Sequence, residues 1–522
     1  MAFDIGGTFT DFVLAGVGEA PRFLKVASTP NDPSIAVIAG FEQLLTDAGI
    51  SASSISTVLH ATTVATNAII ERKGRPTALV TTAGFRDVLL IGRQKRYETY
   101  DLYMDKPPPL VARRNVLEVT ERVGPNGEIE EPIDLASLNA MVDSLAESAI
   151  ESVAVSLLHA YANPTHEHVI KDALQARLPN LLVSLSSTIS PKFREYERTS
   201  TTVANAYVRP IVADYISQLQ STLSERGVEN EMFIMQSAGG LISTAIAIEE
   251  PIRIVESGPA AGVLMSAIVG TESGEKSIIT FDMGGTSTDV ALIHRLTPRI
   301  SHINQIDAYP IQVPQLDIHT IGAGGGSIAW MDQDLLKVGP QSAGADPGPA
   351  CYDRGGNNPT VTDAALVLGY LRPEWFLNGE MHINQSLAEK AIKEMICQPL
   401  KMSVEEAASS IFRIMVSRNV AAVREITVER GLDPREFSLV GFGGGGPMFA
   451  PMIAIELDIP EVIIPPVPAL FSAWGMLTSD LEYQNSKTIL LPLNQDTLTA
   501  IKQQADAIAK EAKGIMLAQV AD

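Results

Sequence analysis

The sequence predicts an α/β protein of at least two domains. Its 522 residues exceed the length at which a single hydrophobic core stops growing, roughly 250–300 residues. Strand-like and helix-like runs alternate along the chain, which is typical of α/β folds. A short motif that begins at Asp4 occurs again at Asp282. Such an internal repeat, at a domain-sized separation, indicates two domains built on one plan.

The composition excludes several classes of protein. Apolar residues form 45% of the sequence, in runs shorter than the ~18 residues that a membrane span requires. The formal net charge of −22 disfavours nucleic acid or an anionic membrane as a partner. The start lacks the basic and apolar regions of an export signal. Cys351 and Cys397 are too few for a disulfide framework, so we expect a cytoplasmic protein.

The repeated motif predicts two matching hairpins. Residues 4–11 read DIGGTFTD and residues 282–289 read DMGGTSTD, so both fit D-x-G-G-T-x-T-D. An apolar stretch follows each copy, FVLAGV after the first and VALI after the second. Each copy therefore predicts a strand, a tight Gly-Gly turn and a second strand.

The other elements follow from apolar periodicity. We predict buried strands over 77–83, 152–158, 437–442 and 461–466. We predict helices over 135–145, from about 163, from about 195 past 208, and over 404–430. Pro210 kinks the third of these helices or begins a new one, and Gly431 closes the last.

The hairpins have the chemistry of phosphate loops. Paired glycines let the backbone approach a ligand closely and point its N–H groups at phosphate oxygens. The leading carboxylates, Asp4 and Asp282, suit hydrated Mg²⁺, which keeps several waters and takes few carboxylates. The residues predicted to bind phosphate are Gly6, Gly7, Thr8, Thr10, Gly284, Gly285, Thr286 and Ser287. Asp11 and Asp289 either orient water or close the hairpins.

A further glycine-rich turn predicts the nucleoside side of the site. The run Gly443, Gly444, Gly445 and Gly446 joins a predicted strand to a predicted helix. Such a turn brings bare backbone and a helix N-terminus against a ligand. Neither the P-loop pattern nor the Rossmann fingerprint fits it.

The order of the three loops resembles the sugar kinase, chaperone and actin superfamily. Within it, the chain is similar to the hydantoinase A/5-oxoprolinase family from residue 4 to about 480. The segments that carry this similarity are DIGGTFTD, HATTVATNAIIERKG, TTAGFRDVLLIGRQ, SAGG, ESGPAAG, DMGGTSTD, DIHTIGAGGGS, GADPGPACY, TVTDA and GFGGGGP.

This resemblance implies two actin-like (ribonuclease H-like) domains around a nucleotide cleft. Residues 1–190 would hold the first phosphate loop, and residues 191–485 the second loop and the nucleoside loop. Residues 486–522 would begin a truncated C-terminal region. Only Met-Ala-Phe precede Asp4 and family subunits continue further, so we expect a shortened chain.

The family implies ATP-dependent hydrolysis of a cyclic amide (hydantoin, 5-oxoproline or lactam) with ATP and Mg²⁺, beside a hydantoinase B-type partner subunit. The alternatives are the ATP-binding subunit of an acetone- or acetophenone-type carboxylase and a non-catalytic, nucleotide-dependent assembly protein. Glu256 resembles the superfamily glutamate near the γ-phosphate, and Gly324 and Gly325 lie in a family segment expected to contact the cofactor.

Several residues keep two interpretations. Asp317 and His319 form a D-x-H pair that could bind a second divalent metal, but two ligands are not a site. His60 is either a ligand or a structural histidine. Cys351 is a nucleophile only with a base beside it and is otherwise an inert buried thiol. Arg93 and Arg96 either meet a substrate or form surface ion pairs.

Overall fold

The computed structural model describes residues 1–16, 20–29, 33–96, 100–379 and 381–519. The predicted α/β class is confirmed. Of the apolar stretch FVLAGV, the part up to Gly16 lies in or beside a strand, and Val17 lies outside the described residues. No helix of the described segments is both long and apolar enough to cross a bilayer.

The elements up to residue 273 belong to the part of the chain that contains the first copy of the motif. The strands are β1 (Ala2–Ile5), β2 (Phe9–Leu14), β3 (Arg22–Ala27), β4 (Val58–Thr62), β5 (Thr77–Thr82), β6 (Val116–Val119), β7 (Arg122–Val123), β8 (Ile129–Glu131), β9 (Ser152–Ser156), β10 (Leu182–Leu185), β11 (Met232–Met235) and β12 (Leu241–Ser243). The helices are α1 (Pro33–Ala48), α2 (Val64–Ile70), α3 (Val88–Ile91), α4 (Leu135–Ala146), α5 (Thr165–Arg177), α6 (Ser186–Ile189), α7 (Glu195–Glu225), α8 (Thr244–Glu249) and α9 (Ser257–Ser273).

The later elements surround the second copy. The strands are β13 (Ser277–Met283), β14 (Thr288–His294), β15 (Thr297–Pro298), β16 (Ile300–Ser301), β17 (Asn304–Ile306), β18 (Tyr309–Ile311), β19 (Gln315–Leu316), β20 (Ile318–Ile321), β21 (Ser327–Asp332), β22 (Leu335–Ser342), β23 (Ser438–Phe442) and β24 (Glu461–Ile463). The helices are α10 (Val361–Val367), α11 (Gln385–Ile392), α12 (Gln398–Leu400), α13 (Val404–Ile426), α14 (Gly446–Leu457), α15 (Phe471–Met476) and α16 (Leu498–Ala518).

Two of the sheets have the same plan. In the first, ordered β12-β11-β4-β1-β2-β3, strand β1 is antiparallel to β2 and parallel to β4. In the second, β15-β14-β13-β23-β24, strand β13 is antiparallel to β14 and parallel to β23. Each hairpin pairs the two aspartates of its motif, Asp4 with Asp11 and Asp282 with Asp289. The predicted strand–turn–strand structure of both copies is therefore confirmed.

A third sheet lies between elements of the first. Its strands are all parallel, in the order β10-β9-β5-β6, and come from the 77–185 part of the chain. The first sheet is completed only afterwards, by β11 and β12. The domain division at residue 190 stays a prediction, but the change from the first repeated sheet to the second occurs later, between Ser243 and Ser277.

The predicted helices are present with small differences. Helix α7 continues through Pro210 to Glu225, so Pro210 does not begin a new helix. Helix α13 ends at Ile426, and Val428–Arg430 form a tighter 3₁₀ turn. Gly431 closes that turn with a φ of 76°, in the left-handed region that favours glycine.

The two repeated sheets share one apolar core. Helix α9 packs on α15, and their cluster contains Val13 and Leu59 from the first sheet together with Val440 and Phe442 from the second. This shared core places the two hairpins on facing sides of one cleft.

Candidate nucleotide-binding cleft

The two Gly-Gly turns form equivalent tight loops. Gly6 N donates to Phe9 O at 3.0 Å, and Gly284 N donates to Ser287 O at 3.0 Å. An equivalent hydrogen bond therefore closes each turn, and the neighbouring N–H groups at each tip can point at a ligand.

The tips of the two loops face each other. A methyl group on Gly285 would come within 2.7 Å of Thr8 Oγ1, and one on Gly7 would lie 3.9 Å from Thr286 Oγ1. The structure thus brings together loops that are far apart in the sequence. Thr10 lies deeper; it is fully buried, with its hydroxyl 3.1 Å from that of Ser28.

The glycine run at 443–446 forms a third wall. Gly443 has a φ of 79°, and a methyl group there would overlap Asp282 Oδ1. Gly445 N donates to Met283 O at 2.8 Å, which ties this turn to the strand that carries Asp282. Helix α14 begins at Gly446, so its N-terminus opens beside the second loop, where it favours an anion.

The stretch around Gly325 packs behind the second Gly-Gly loop. Gly325 N donates to Gly284 O at 3.0 Å, and Gly326 N donates to Gly285 O at 2.6 Å. The carbonyl of Gly325 accepts from both Thr362 N and Thr362 Oγ1, each at 2.8 Å. A methyl group on Gly324 would overlap Gly285. These contacts give Gly324 and Gly325 a supporting position; their direct contact with the cofactor stays a prediction.

Glu256 lies at the start of helix α9, beside the hairpin that carries Asp4. Its φ of 63° and ψ of 35° are left-handed, a conformation that costs a non-glycine residue free energy and is concentrated at functional sites. Its N–H donates to Thr66 Oγ1 at 3.1 Å. Two residues later, a methyl group on Gly258 would lie 3.0 Å from both carboxylate oxygens of Asp4, so the helix start packs closely on Asp4.

The cleft collects five carboxylates. Burial and the Asp11 charge raise the pKa of Asp4 to about 7, and burial raises the pKa of Asp11. Burial and Asp289 raise the pKa of Glu256 to about 7. Burial and the other three aspartates raise the pKa of Asp282, and burial raises that of Asp289 to about 6. Such mutual repulsion is relieved when a cation binds.

Lys25 is a cleft residue that the sequence analysis missed. It lies on β3, and its Nζ donates to Asp11 Oδ1 at 2.5 Å and to Ala469 O at 3.1 Å. Its charge lowers the pKa of Asp4, Asp11 and Asp282 against the effect of burial. No local sequence pattern marks Lys25; it becomes a candidate only because it pairs with Asp11 in the strand register.

The cleft fits a hydrated cation better than a bare one. Within the described ranges, no group of three or more His, Cys, Asp and Glu side chains is arranged to hold a metal ion directly. Mg²⁺ in phosphate sites takes one or two carboxylates and keeps waters. The crowded carboxylates of Asp4 and Asp282 are donors of that type.

Comparison with known families identifies the chain. Residues 1–178 match the model described as the hydantoinase/oxoprolinase N-terminal region, and residues 198–485 match the model described as hydantoinase/oxoprolinase. The chain belongs to the hydantoinase/oxoprolinase family. The resemblance stated from the sequence motifs is therefore confirmed.

Curated relatives in the hydantoinase/oxoprolinase family differ in their named activities. The chain is 36% identical to the caprolactamase subunit alpha of Pseudomonas jessenii, over 95% of this chain and 72% of that protein. It is 35% identical to the acetophenone carboxylase gamma subunit of Aromatoleum aromaticum, over 93% and 69%. It is 33% identical to 5-oxoprolinase 1 of Arabidopsis thaliana, over 98% of this chain but 43% of that protein.

Two solved structures of the family match almost the whole chain. The ATP-dependent caprolactamase of Pseudomonas jessenii superposes with a TM-score of 0.84 at 35% identity, covering 98% of this chain and 76% of that one. The nucleotide-free acetone carboxylase also gives 0.84, at 29% identity, covering 98% and 75%. The predicted α/β class is shared with these two structures, and the two repeated sheets fit the predicted internal duplication; the division into two actin-like domains stays a prediction.

Asp317 and His319, the candidate second-metal pair, have protein partners. Asp317 pairs with Arg299 at 3.2 Å and with Arg430 at 2.5 Å, and His319 Nε2 lies 3.2 Å from Glu425 Oε2 without a hydrogen bond. Ion pairs with arginines therefore occupy the Asp317 carboxylate. The second-metal site stays a prediction without a third ligand from the described residues.

His60, Arg93 and Cys351 have structural partners. His60 Nδ1 donates to Phe3 O at 3.3 Å and Nε2 accepts from Tyr215 at 2.8 Å, while burial lowers its pKa to about 3. Arg93 pairs with Glu197. Cys351 is buried, and burial and the Asp363 carboxylate raise its thiol pKa. These environments favour the structural interpretation of each residue.

Proposed function

We propose that this chain is the ATP-hydrolysing subunit of a cyclic-amide hydrolase. The observation that carries the proposal is the pair of facing phosphate loops around a cleft that gathers five carboxylates and one ammonium. Relatives named caprolactamase and 5-oxoprolinase support the substrate class, a lactam or 5-oxoproline-like ring.

The residues divide by their place in the cleft. Asp4 and Asp282 would hold hydrated Mg²⁺, which when bound would neutralise the charge that develops on the transferred phosphoryl group. The loop N–H groups and the hydroxyls of Thr8 and Thr286 would align the phosphates, and the 443–446 turn would lie along the nucleoside. Lys25 would add a positive charge on the first side of the cleft.

This alignment answers the chemical difficulty of opening an amide ring. An amide carbonyl is a poor electrophile, and transfer of the γ-phosphoryl group to its oxygen creates a good leaving group at an activated carbon. Water adds to that carbon, the C–N bond breaks with the ring nitrogen leaving as an amine, and a second water cleaves the resulting acyl phosphate to carboxylate and phosphate. Phosphoryl transfer needs positioning and charge stabilisation more than covalent chemistry. Glu256, with its pKa raised to about 7 by burial and by Asp289, would orient or deprotonate the attacking water.

A second, different subunit belongs to the proposal. Relatives are named as alpha, beta or gamma subunits of caprolactamase, acetone carboxylase and acetophenone carboxylase. We propose a hydantoinase B-type partner, and the cytoplasm as the compartment. Purification from the native source, followed by mass measurement of the complex, tests the partner; a fully active homo-oligomer would contradict it.

The carboxylase interpretation is the second candidate. The acetone carboxylase structure fits as well as the caprolactamase structure, with a TM-score of 0.84 in both cases. In that case ATP would activate bicarbonate or an enolate at the same cleft. A non-catalytic assembly protein would instead polymerise with ATP and show no stimulation by small molecules.

One assay separates the three. The complex is incubated with Mg-ATP and, in turn, hydantoin, 5-oxoproline, caprolactam and a ketone with bicarbonate, and phosphate release is measured. We expect stimulation by one cyclic amide and its loss in Asp282→Asn. Stimulation only by ketone with bicarbonate would replace the hydrolase with the carboxylase, and no stimulation by any compound would overturn both.

A further inference from the structure

Two of the family segments have no role yet in the cleft, GADPGPACY at 344–352 and TVTDA at 360–364. Both are attached to the backbone stretch that packs behind the second Gly-Gly loop. Ala343, just before the first segment, donates its N–H to Gly326 O at 2.8 Å. The second segment contains Thr362, which contacts the same stretch through its hydroxyl. Thr362 is therefore the side chain of these segments through which they can act on the loop.

A series of hydrogen bonds connects Thr362 to the tip of the loop. Thr362 Oγ1 and Thr362 N both donate to Gly325 O, each at 2.8 Å. The N–H of the same peptide group belongs to Gly326, and it donates to Gly285 O at 2.6 Å. A single peptide group, between Gly325 and Gly326, therefore separates Thr362 from a carbonyl of the loop tip.

This connection fixes the direction of the Thr286 N–H. The peptide group between Gly285 and Thr286 is trans, so its C=O and its N–H point in opposite directions. Because Gly285 O points at Gly326, the Thr286 N–H points away from the stretch behind the loop. Among the described residues, this N–H has no protein acceptor. Hydrogen bonds in series also polarise one another, which strengthens the last donor.

Thr362 is itself held in place. It lies in the first turn of helix α10, where Thr360 and Asp363 form a capping box. The Asp363 carboxylate also accepts from Cys351 N at 2.7 Å. Thr362 is 8% exposed and Asp363 is fully buried. The Thr362 hydroxyl therefore has little freedom to leave Gly325 O, as a group that positions another must.

The first loop is held differently. Its Gly6 O, equivalent in the motif to Gly284 O, accepts directly from Ser28 Oγ at 2.8 Å. Gly284 O accepts instead from Gly325 N at 3.0 Å. A hydroxyl thus contacts the first loop directly, whereas the Thr362 hydroxyl reaches the second loop through one peptide group.

We propose that Thr362 is a positioning residue for the second phosphate loop. Its hydroxyl fixes the peptide group between Gly325 and Gly326, and this peptide group holds Gly285 O so that the Thr286 N–H points at an oxygen of the β- or γ-phosphate. The inference rests on the proposed function, because it takes the second Gly-Gly loop to bind the phosphates of ATP. It gives the segment TVTDA a role that requires no contact with the nucleotide.

Calorimetry with Mg-ATP and with AMP, on the full chain in its complex, tests this role. Thr362→Val removes the hydroxyl with little change in volume. It should weaken Mg-ATP binding by about five- to tenfold, part of the roughly tenfold or more that complete loss of a charge-assisted hydrogen bond costs. AMP lacks the β- and γ-phosphates, so its affinity should change by less than about twofold, as expected for an independent contact.

Three further variants separate positioning from general damage to the fold. Thr362→Ser keeps the hydroxyl and should keep Mg-ATP affinity within about twofold of the wild type. Thr362→Ala adds no group that clashes and should show the same selective loss as Thr362→Val, also if the latter does not fold. Thr427→Val is the matched control, because it removes a buried hydroxyl that donates to Val423 O at 2.6 Å outside the cleft. It should leave both affinities unchanged.

The outcomes distinguish this inference from the proposed function. A selective loss of Mg-ATP affinity in Thr362→Val or Thr362→Ala, absent from Thr362→Ser, supports the positioning role. Unchanged Mg-ATP affinity without the hydroxyl, an equal loss for Mg-ATP and AMP, or the same loss in Thr362→Ser would overturn it and leave the proposed function standing. Absence of Mg-ATP binding to the wild-type complex would overturn the proposed function, and this inference with it.

Discussion

The two halves of the cleft share a backbone plan but differ in charge. In the first half, the strand opposite the motif presents Lys25 to Asp11; in the second, the equivalent strand presents Thr320 to Asp289. Lys25 forms an ion pair at 2.5 Å, and Thr320 donates a neutral hydrogen bond at 2.5 Å. The same register position therefore carries a cation on one side and a hydroxyl on the other.

We propose that this difference gives distinct tasks to two loops that are nearly identical in sequence. Positive charge on the first side suits the phosphoryl group and its developing charge. Among the described residues, neither Asp282 nor Asp289 forms an ion pair with Lys or Arg, although the charge of Lys25 lowers the pKa of Asp282 from the other side of the cleft; this arrangement suits a divalent cation. In this proposal the two halves share a backbone plan, and one strand position on each side distinguishes their charge.

The largest expected effect is at Asp282. Asp282→Asn should weaken Mg-ATP binding by about 2–3 kcal/mol, roughly 30- to 150-fold, because a charge-assisted contact to the cation is lost. Asp4→Asn should weaken Mg-ATP binding less, because Lys25 already compensates negative charge in the half of the cleft that carries the first motif. Calorimetry with Mg-ATP measures both, and exposed Asp496→Asn is the control. An unchanged affinity in Asp282→Asn would remove the metal assignment.

The next effect tests the asymmetry directly. Lys25→Met should lower substrate-stimulated ATP turnover by about 10²-fold, the scale of a removed electrostatic stabiliser, and Lys25→Arg should retain part of the activity. Thr320→Val, at the equivalent position, should change turnover only a few-fold. Steady-state kinetics at saturating ATP measures both variants, and equal losses in the two would show that the halves do not differ in task.

Two substitutions of Glu256 separate the chemical role of its carboxylate from the role of its left-handed backbone. Glu256→Gln should lower turnover by about tenfold or more with little change in Mg-ATP affinity. Glu256→Gly relieves the left-handed conformation and should stabilise the fold slightly, yet lose the same activity. Turnover and thermal unfolding are measured together. Full activity in Glu256→Gly would leave this residue with a structural role only.

The pH dependence of stability is a smaller effect. The folded-state pKa of Asp4, about 7, is raised above its unfolded value, so protonated Asp4 favours the folded, nucleotide-free protein. This stabilisation is complete below about pH 4 and is lost as pH rises through about 7. Stability should therefore fall over that window, and Asp4→Asn should raise it at pH 8 by on the order of 1–2 kcal/mol.

Bound Mg-ATP should reverse this trend, since a cation favours the ionised carboxylates. The increase in melting temperature on adding Mg-ATP should be larger at pH 8 than at pH 6, as measured by calorimetry at both values. A larger increase at pH 6 would contradict the raised pKa values of the cleft.

The smallest effect concerns closure. Each half of the cleft carries one of the two proposed phosphate loops, so ATP contacts both loops only when the halves approach. Because a ligand shifts a conformational equilibrium by its differential affinity for the two states, ATP should favour the closed arrangement. Small-angle scattering with a non-hydrolysable ATP analogue should show a smaller radius of gyration than without it. Unchanged scattering, together with unchanged hydrogen exchange in both loops, would exclude closure of the two halves on ATP.

Much of this organisation was predictable because it depends on local pattern. The two Asp-Gly-Gly hairpins, the strand before Gly443 and the helix from Val404 follow from periodicity and turn residues. The family segments supplied the overall fold. What the sequence could not reveal depends on strand pairing: β11 and β12 join the first sheet after a long insertion.

The same limit explains why the sequence did not show Lys25 or the arginine partners of Asp317. Lys25 has no motif of its own and becomes notable only when β3 pairs with β2 and sets it opposite Asp11. Conversely, Asp317 and His319 have a ligand-like spacing, but the fold brings arginines to Asp317 from Arg299 and from Arg430, far along the chain. Spacing alone does not report these long-range partners.

The contact between helices α9 and α15 has a mechanical consequence for the cleft. A methyl group on Gly475 would overlap Ala261 O, and one on Gly262 would lie 2.8 Å from Ser472 Oγ, so the two helices approach each other closely at these glycines. Close-packed contacts of this kind resist sliding. They therefore fix the spacing between the two halves at this point, and with it the distance between the two loop tips before a nucleotide binds.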